Sequence, residues 1–441
     1  MRGHSPAFFS HGGVTRREFI KRGVGLAAAG CLWQGCGAPV GVVRLADEDP
    51  LPNDPFQASP DGVIVGLGSA QTDPVETMRT VCAHLDWSWL TPGDRVFVKI
   101  ACNSSFLHPA VTSPNAVRAI VAELLDRGAS SVLVGDQGGI EEVRLAPDDR
   151  RFRSTRELAH SNGLIDAIVE SSAEPHFFDE HGFDDGYYDV DPGDYASHWS
   201  EPLWIANVVR EVDHIVYLPR LSSHWLTGYS LGHKGAVGWL RDDSRYDLHI
   251  DAAALHERYV EISHLPDIRD RLRLTITLAE GAFLDAGPSV GTLANLDGPV
   301  VIASPHLANH DAVGVAILSH LDRLMPEAAP IIRVPTSRFV LPFTGTYRPL
   351  LSDLQHRIFV AEFAEAVTGI PWGDGDMNRY TPLRMHDFSR GIDHDAALSR
   401  VYAIEGGVPG SIPVWLIGNR PRPGFLTALQ THDGGRLGMI V

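Results

Sequence analysis

His224 and Lys234 stand ten positions apart in the stretch Tyr217–Leu240, YLPRLSSHWLTGYSLGHKGAVGWL. An imidazole can carry a proton or ligate a metal near neutral pH. A lysine amine whose charge is suppressed by burial becomes a nucleophile. Gly232, Gly235 and Gly238 recur every third residue around the lysine. On a helical turn that spacing bares one side to a backbone or ligand. The plain alternative is a tightly packed helix start with a surface lysine. Gly228, Ser230 and Gly232 also form a G-x-S-x-G pattern. The chain between the preceding strand and Ser230 is too long for a hydrolase elbow, so Ser230 reads as a hydrogen-bonding neighbour.

Lysine usage sharpens this. The chain has 37 Lys plus Arg, yet its only lysines are Lys21, Lys99 and Lys234. Arginine can neither lose its proton usefully nor form amine adducts. A lysine in the most glycine-rich stretch of an arginine-using chain therefore points to a need for an amine.

The elements that position these groups read as strands alternating with helices. His214–Leu218 is an apolar, β-rich run closed by Pro219. Gly62–Gly66 predicts a first strand, and Pro74–Trp89 has helical spacing. Arg95–Ile100 predicts a strand, and Ser113-Pro114 supplies a hydroxyl cap with proline at the first helical position. A helix follows to Gly128, then a strand at Ser131–Val134 with the exit loop Gly135–Gly139. This is a βαβ unit, so both strand exits face one edge and bring Lys99, Asn103 and Asp136 there. Strands at Leu272–Leu278 and Pro299–Ser304 and a helix at Ala312–Leu321 continue the alternation. The expected class is α/β with a mainly parallel sheet, flanking helices and a C-terminal elaboration.

The expected organisation is a leader over residues 1–31, a linker over 32–60, an α/β core over 61–322 and a C-terminal extension over 323–441 packed on the core. Within the core, 141–200 is an acidic, aromatic excursion. Asp184, Asp185, Asp189 and Asp191 there lack DxDxDG spacing, so it reads as solvated surface rather than a calcium loop. Net charge is −18, and the leader carries five basic residues and one acidic, leaving −22 for the rest. Nucleic acid and anionic membrane are excluded as bulk-charge partners. Beyond Cys31 and Cys36, at the cleavage region, only Cys82 and Cys102 remain, without a CxxC, so neither a disulfide framework nor an iron–sulfur cluster is expected.

The leader Thr15-Arg16-Arg17-Glu18-Phe19-Ile20-Lys21 resembles the twin-arginine export motif. The apolar run Val24–Leu32 is too short to span a membrane. That resemblance implies the twin-arginine machinery as a partner, a periplasmic or exported location, and no integral span after processing. Cleavage near Ala27–Ala29 and lipid anchoring at Cys31 are the two processing alternatives.

The succession VFVKIACN, TSPNAVRAIVAELLDRGASSVLVGDQ, the opening stretch and VVIASPHLANHDAVGVAIL resembles the DUF362 family over about residues 61–322. The resemblance carries over to Lys99, Asn103, Asp136, His224, Lys234 and Asp311. It departs at Arg220 and Ser222, where lysines are usual, at Ile100, and at Asp285. The segment from His224 to Lys234 also resembles the nickel-dependent lactate racemase family, in which a histidine and a lysine ten positions later sit at a nickel pincer nucleotide. That likeness implies a tether at Lys234 and makes His249 the loose candidate metal ligand. The threonine-histidine-arginine-proline segment of that family is absent here. Together these imply a pocket for a small anionic ligand in a cofactor- or metal-dependent enzyme, with the cofactor itself undetermined. Lys234, His224 and Asp136 are the catalytic candidates, and Lys99, Asn103, Ser230, Gly232 and Asp311 the cofactor-binding ones. A non-catalytic metal- or anion-binding protein of an envelope redox system is the alternative.

Overall fold

The structure is a computed structural model. It describes residues 40–52, 56–193, 196–199, 201–224, 226–284, 287, 292–324, 356–357, 360, 380–382 and 391–440. The chain divides into two units, Met1–Val40 and Gly41–Val441, the second of which is the body described below. The twin-arginine motif, Cys31 and Asp285 lie outside the described residues.

The body is built on an 11-stranded sheet. Its main path runs Leu437–Ile440, Ile412–Pro421, Val63–Leu67, Thr292–Ser304, Leu272–Leu284, His214–Leu218, Arg95–Ile100, Ser131–Gly135, Glu174–Pro175. Neighbours on this path pair parallel, except that Thr292–Ser304 runs antiparallel to both strands beside it. The strand Val63–Leu67 is buried along its whole length, as expected for a strand covered on both faces. Two apolar cores result, one around Phe97, Tyr217 and Trp239, the other around Val98, Val117 and Val134. Alternation along Arg95–Ile100 sends Phe97 to one core and Val96 and Val98 to the other.

The βαβ unit forms as expected. Ser113 is extended, its side chain accepts from Asn115 N, and Pro114 opens the helix Pro114–Asp126. In register, Lys99 lies between Gly135 and Tyr217. Its strand, the Asp136 strand and the Tyr217 strand thus release their loops at one carboxyl edge, where α/β sheets place ligands.

Several expectations are corrected. The helix beginning at Pro74 stops at Cys82 rather than Trp89. Within the excursion lie two helices, Thr155–Asn162 and Leu164–Glu170, separated by Gly163 at φ 81°. The strands expected at 272–278 and 299–304 are longer, Leu272–Leu284 and Thr292–Ser304, and pair antiparallel. The acidic excursion is not merely solvated. Phe177, Phe178, Tyr187 and Tyr188 are core residues, and Tyr187–Val190 pairs with Leu203–Ala206. Part of the linker, Ala46–Pro50, pairs antiparallel with Ile412–Pro421. The C-terminal region also enters the sheet, with Ile412–Pro421 lying parallel beside Val63–Leu67. Hydrophobic periodicity is local and does not register pairings between chain ends.

Candidate functional site

The centre of the site is a buried ion pair at the carboxyl edge. Lys99 Nζ donates to Asp136 Oδ1 at 2.5 Å, to Gly235 O at 3.1 Å and to Ile100 O at 3.3 Å. Asp136 also accepts from Cys102 N and Gln137 N, each at 2.8 Å. The Lys99 amine lies 5.5 Å from the Trp239 ring centroid. Burial pushes the Lys99 ammonium below its ordinary value, while Asp136 opposes the shift.

The bond from Lys99 to Gly235 O fixes the segment that carries Lys234. After Pro219 the chain makes a small hairpin, Ser222–His224 against Gly228–Ser230. One helical turn follows, Gly232–Gly235, and then a 3₁₀ turn, Ala236–Trp239. Asp311 lies beneath this turn and is fully buried. It accepts from Gly232 N, His233 N and His233 Nδ1, each at 2.9 Å, and from His310 Nδ1 at 2.8 Å. Burial raises its pKa, but the hydrogen bonds from His233 and His310 outweigh burial and hold the carboxyl below the usual range. Asp311 therefore anchors the Lys234 turn through bonds that occupy both its oxygens. Asp311→Ala is expected to cost about 3–5 kcal/mol, because it strands buried donors. The Asp311 contribution is whole above the ordinary carboxylate value of 3.8 and is lost as pH falls below it. Urea unfolding followed from pH 7 to pH 3 checks both statements: the gap between wild type and variant should narrow on acidification.

The three glycines have different jobs. A methyl group at Gly232 would strike Leu307 and approach Asp311 Oδ1 and Thr275 Cγ2, each at 3.1 Å. A methyl group at Gly238 would overlap Asp136 Oδ1 and Lys99 Nζ. Only at Gly235 is there open space. Thus two of the glycines clear protein groups rather than a ligand, which corrects the reading of all three as ligand clearance. Gly238→Ala is expected to cost about 1–3 kcal/mol by forcing the ion pair apart, measured by the urea midpoint at pH 7.

Lys234 is half-buried, and among the described residues its amine makes no hydrogen bond or ion pair. Burial first, then like charge from Arg220 and Arg245, with Lys99 adding, holds the amine down to about 7, while Asp136 pulls the other way. Arg220 is buried and donates to Asn103 Oδ1, to Ala110 O, and to Ser230 Oγ at 3.1 Å. Its Nε–H has no partner among the described residues. Arg245 binds the backbone carbonyls of Leu240 at 2.9 Å, Gly138 at 2.8 Å, Gly238 at 3.1 Å and Gln137 at 3.4 Å. His224 accepts at Nδ1 from Leu226 N at 3.1 Å and Thr227 N at 3.4 Å, so its neutral ring carries hydrogen on Nε2. Burial, then Lys234 and Arg220, holds that imidazole well below its ordinary value.

The sequence-derived residues thus resolve into one cluster and its supports. Lys234, His224, Lys99 and Asp136 share one electrostatic neighbourhood. Asn103 and Ser230 hold Arg220, Gly232 gives packing clearance, and Asp311 is the anchor. His249 Nδ1 lies 3.3 Å from His356 Nε2. Burial, then His356, Lys234 and His224, keeps His249 neutral-leaning, well below its ordinary value. Among the described residues no group of three or more His, Cys, Asp or Glu side chains stands ready to hold a metal. Sequence reasoning missed Arg245 and the role of Arg220. Arg220 was visible as an arginine where lysine is usual, whereas Arg245 carried no local signal. An open groove of about 790 Å³ lined by His320, Arg323, Thr427 and His432 shares no residue with this cluster.

The model of a domain of unknown function, DUF362, matches residues 96–316, inside the span expected from the motifs. No curated protein matches the chain. A solved protein from Thermotoga maritima is 14% identical with a TM-score of 0.30, over 50% of this chain and 53% of that one. The lactate racemase apoprotein from Thermoanaerobacterium thermosaccharolyticum is 11% identical with a TM-score of 0.33, over 61% of this chain and 59% of that one. The chain therefore spans between half and three fifths of the length of each. Likeness this distant carries no argument about chemistry.

Proposed function

The chain belongs to the DUF362 family, and from that premise we propose that its carboxyl-edge cluster is the pocket of an enzyme acting on a small anionic substrate. One observation carries the reading. Lys234 presents an amine without a hydrogen-bonding or ionic partner among the described residues, in a field set by Arg220, Arg245 and Lys99. Every other cation of the cluster is tied down, Lys99 by Asp136 and the arginines by side chains and carbonyls. An unbalanced cationic field with one untethered amine suits a carboxylate or phosphate. In this reading Lys234 is the nucleophile or the point of cofactor attachment. His224 is the proton-handling group, and the Lys99–Asp136 pair fixes the field and the floor.

The test is calorimetry with inorganic phosphate and with acetate at pH 6.5. Wild type binds one of them, and Lys234→Met weakens it at least tenfold, about 1.4 kcal/mol. Affinity falls as pH rises through about 7, where the amine loses its proton. Equal binding by both proteins would overturn the reading. Binding without turnover of any carboxylic or hydroxy acid would favour the non-catalytic alternative.

The proposal extends to location. The Arg16–Arg17 motif supports export by the twin-arginine route, with the mature protein in the envelope. Retention of an Arg16→Lys/Arg17→Lys variant in the cytoplasmic fraction is the expected result; unchanged export would refute it.

A further inference from the structure

Resting on the anionic-pocket reading, we infer that Lys234 forms a reversible imine with an aldehyde or ketone that carries a carboxylate or phosphate group. The Lys234 amine has no protein partner to displace among the described residues. At Gly235, the next residue, an added Cβ would meet nothing within 4 Å among the described residues. Arg220 keeps one unused donor, its buried Nε–H, while its terminal nitrogens hold Asn103, Ala110 and Ser230. The Arg220 charge acts directly on the Lys234 amine, so an anionic group and an amine-reactive group would meet one field. A simple anion would use only the charge. A carbonyl compound bearing an anionic group uses both features, because the anion orients the carbonyl toward the amine.

The chemistry balances without an oxidant or reductant. The neutral Nζ lone pair attacks the carbonyl carbon, and the C=O π pair moves to oxygen. The carbinolamine then loses that oxygen as water with the two amine hydrogens, and the nitrogen lone pair closes the C=N bond. Attack needs the unprotonated amine. The groups that set its protonation are Arg220, Arg245, Lys99 and Asp136, with His224 and His249 coupled to it. The trapping rate should therefore rise through about pH 7.

Lysine scarcity makes the test clean, since the whole chain contains only Lys21, Lys99 and Lys234. Purified full-length protein is incubated with pyruvate, with pyridoxal 5′-phosphate and with neutral butanone, then reduced with borohydride. Intact mass and peptide mapping follow. The expected result is one reduced adduct on the Lys234 peptide with an anionic carbonyl, little with butanone, and none in Lys234→Arg. Trapping by pyruvate alone identifies an oxo acid as the source of the chemistry, and trapping by pyridoxal phosphate alone a phosphorylated aldehyde. Adduct confined to Lys99 or the amino terminus of wild type overturns the inference even if Lys234→Arg fails to fold. Equal trapping of butanone overturns its anionic half. If phosphate binds by calorimetry and Lys234→Met abolishes it, yet no carbonyl is trapped, the imine fails and the anion pocket stands. If neither occurs, both fail.

Discussion

Asp136→Ala should destabilise the protein by about 3–5 kcal/mol. The carboxylate is buried and is the ion-pair partner of an equally buried Lys99 at 2.5 Å. Removing it leaves the ammonium without its counter-charge and strands the Cys102 and Gln137 N–H groups. Lys99→Met on that background should recover part of the loss, since an apolar side chain carries no buried charge. Urea unfolding at pH 7 of the two single variants and the double variant measures this as a cycle. A cost below about 1 kcal/mol for Asp136→Ala would mean that the pair is solvated. A functional consequence follows. Asp136 is the group that raises the Lys234 pKa against burial and like charge. A folded Asp136→Asn variant should titrate its Lys234 below the wild-type value of about 7.

Lys234→Met should change how stability responds to alkali. The folded-state value of Lys234, about 7, lies below its ordinary value of 10.5, so the folded protein disfavours the charged amine. That penalty is full at pH below about 7 and vanishes above 10.5, so wild-type stability should gain from this group as pH rises between them. The span is on the order of 3 kcal/mol after discounting for solvent screening of the partly exposed side chain. The methionine variant should be more stable than wild type at pH 6 by that order, and the gap should close by pH 10. Urea midpoints at pH 6, 8 and 10 measure it. A constant gap would mean that Lys234 titrates normally and that its charge costs nothing in the fold.

The site was legible where local rules govern. Ser113-Pro114 marks a helix start, the strand before it ends at Lys99, and the strand after it exits at Asp136. A parallel βαβ unit then forces Lys99 and Asp136 together. The scarcity of lysine pointed to Lys234 before any geometry was known. What stayed illegible depends on distant partners. Gly232 and Gly238 look alike in sequence, but one clears Leu307 and the other clears Asp136 and Lys99. Asp311 looks like a ligand-holding aspartate, and it is the packing of its helix under the Lys234 turn that makes it an anchor. Arg245 enters the cluster because its helix, Asp242–Ile250, presents it to the carbonyls of Gly138 and Gly238. The strand Ile412–Pro421 pairs with Val63–Leu67, and no local pattern reports so distant a pairing.

An untethered Lys234 amine, held down to about 7 in an anion-attracting field, is the centre of the proposed site. Because lysines are so few, isotopic labelling of the lysine ε-carbon gives at most three resonances, one for each of Lys21, Lys99 and Lys234. The resonance lost in Lys234→Met should titrate at about 7 and move upward when phosphate is added. Titration of that resonance near 10.5 with no response to phosphate would contradict the account.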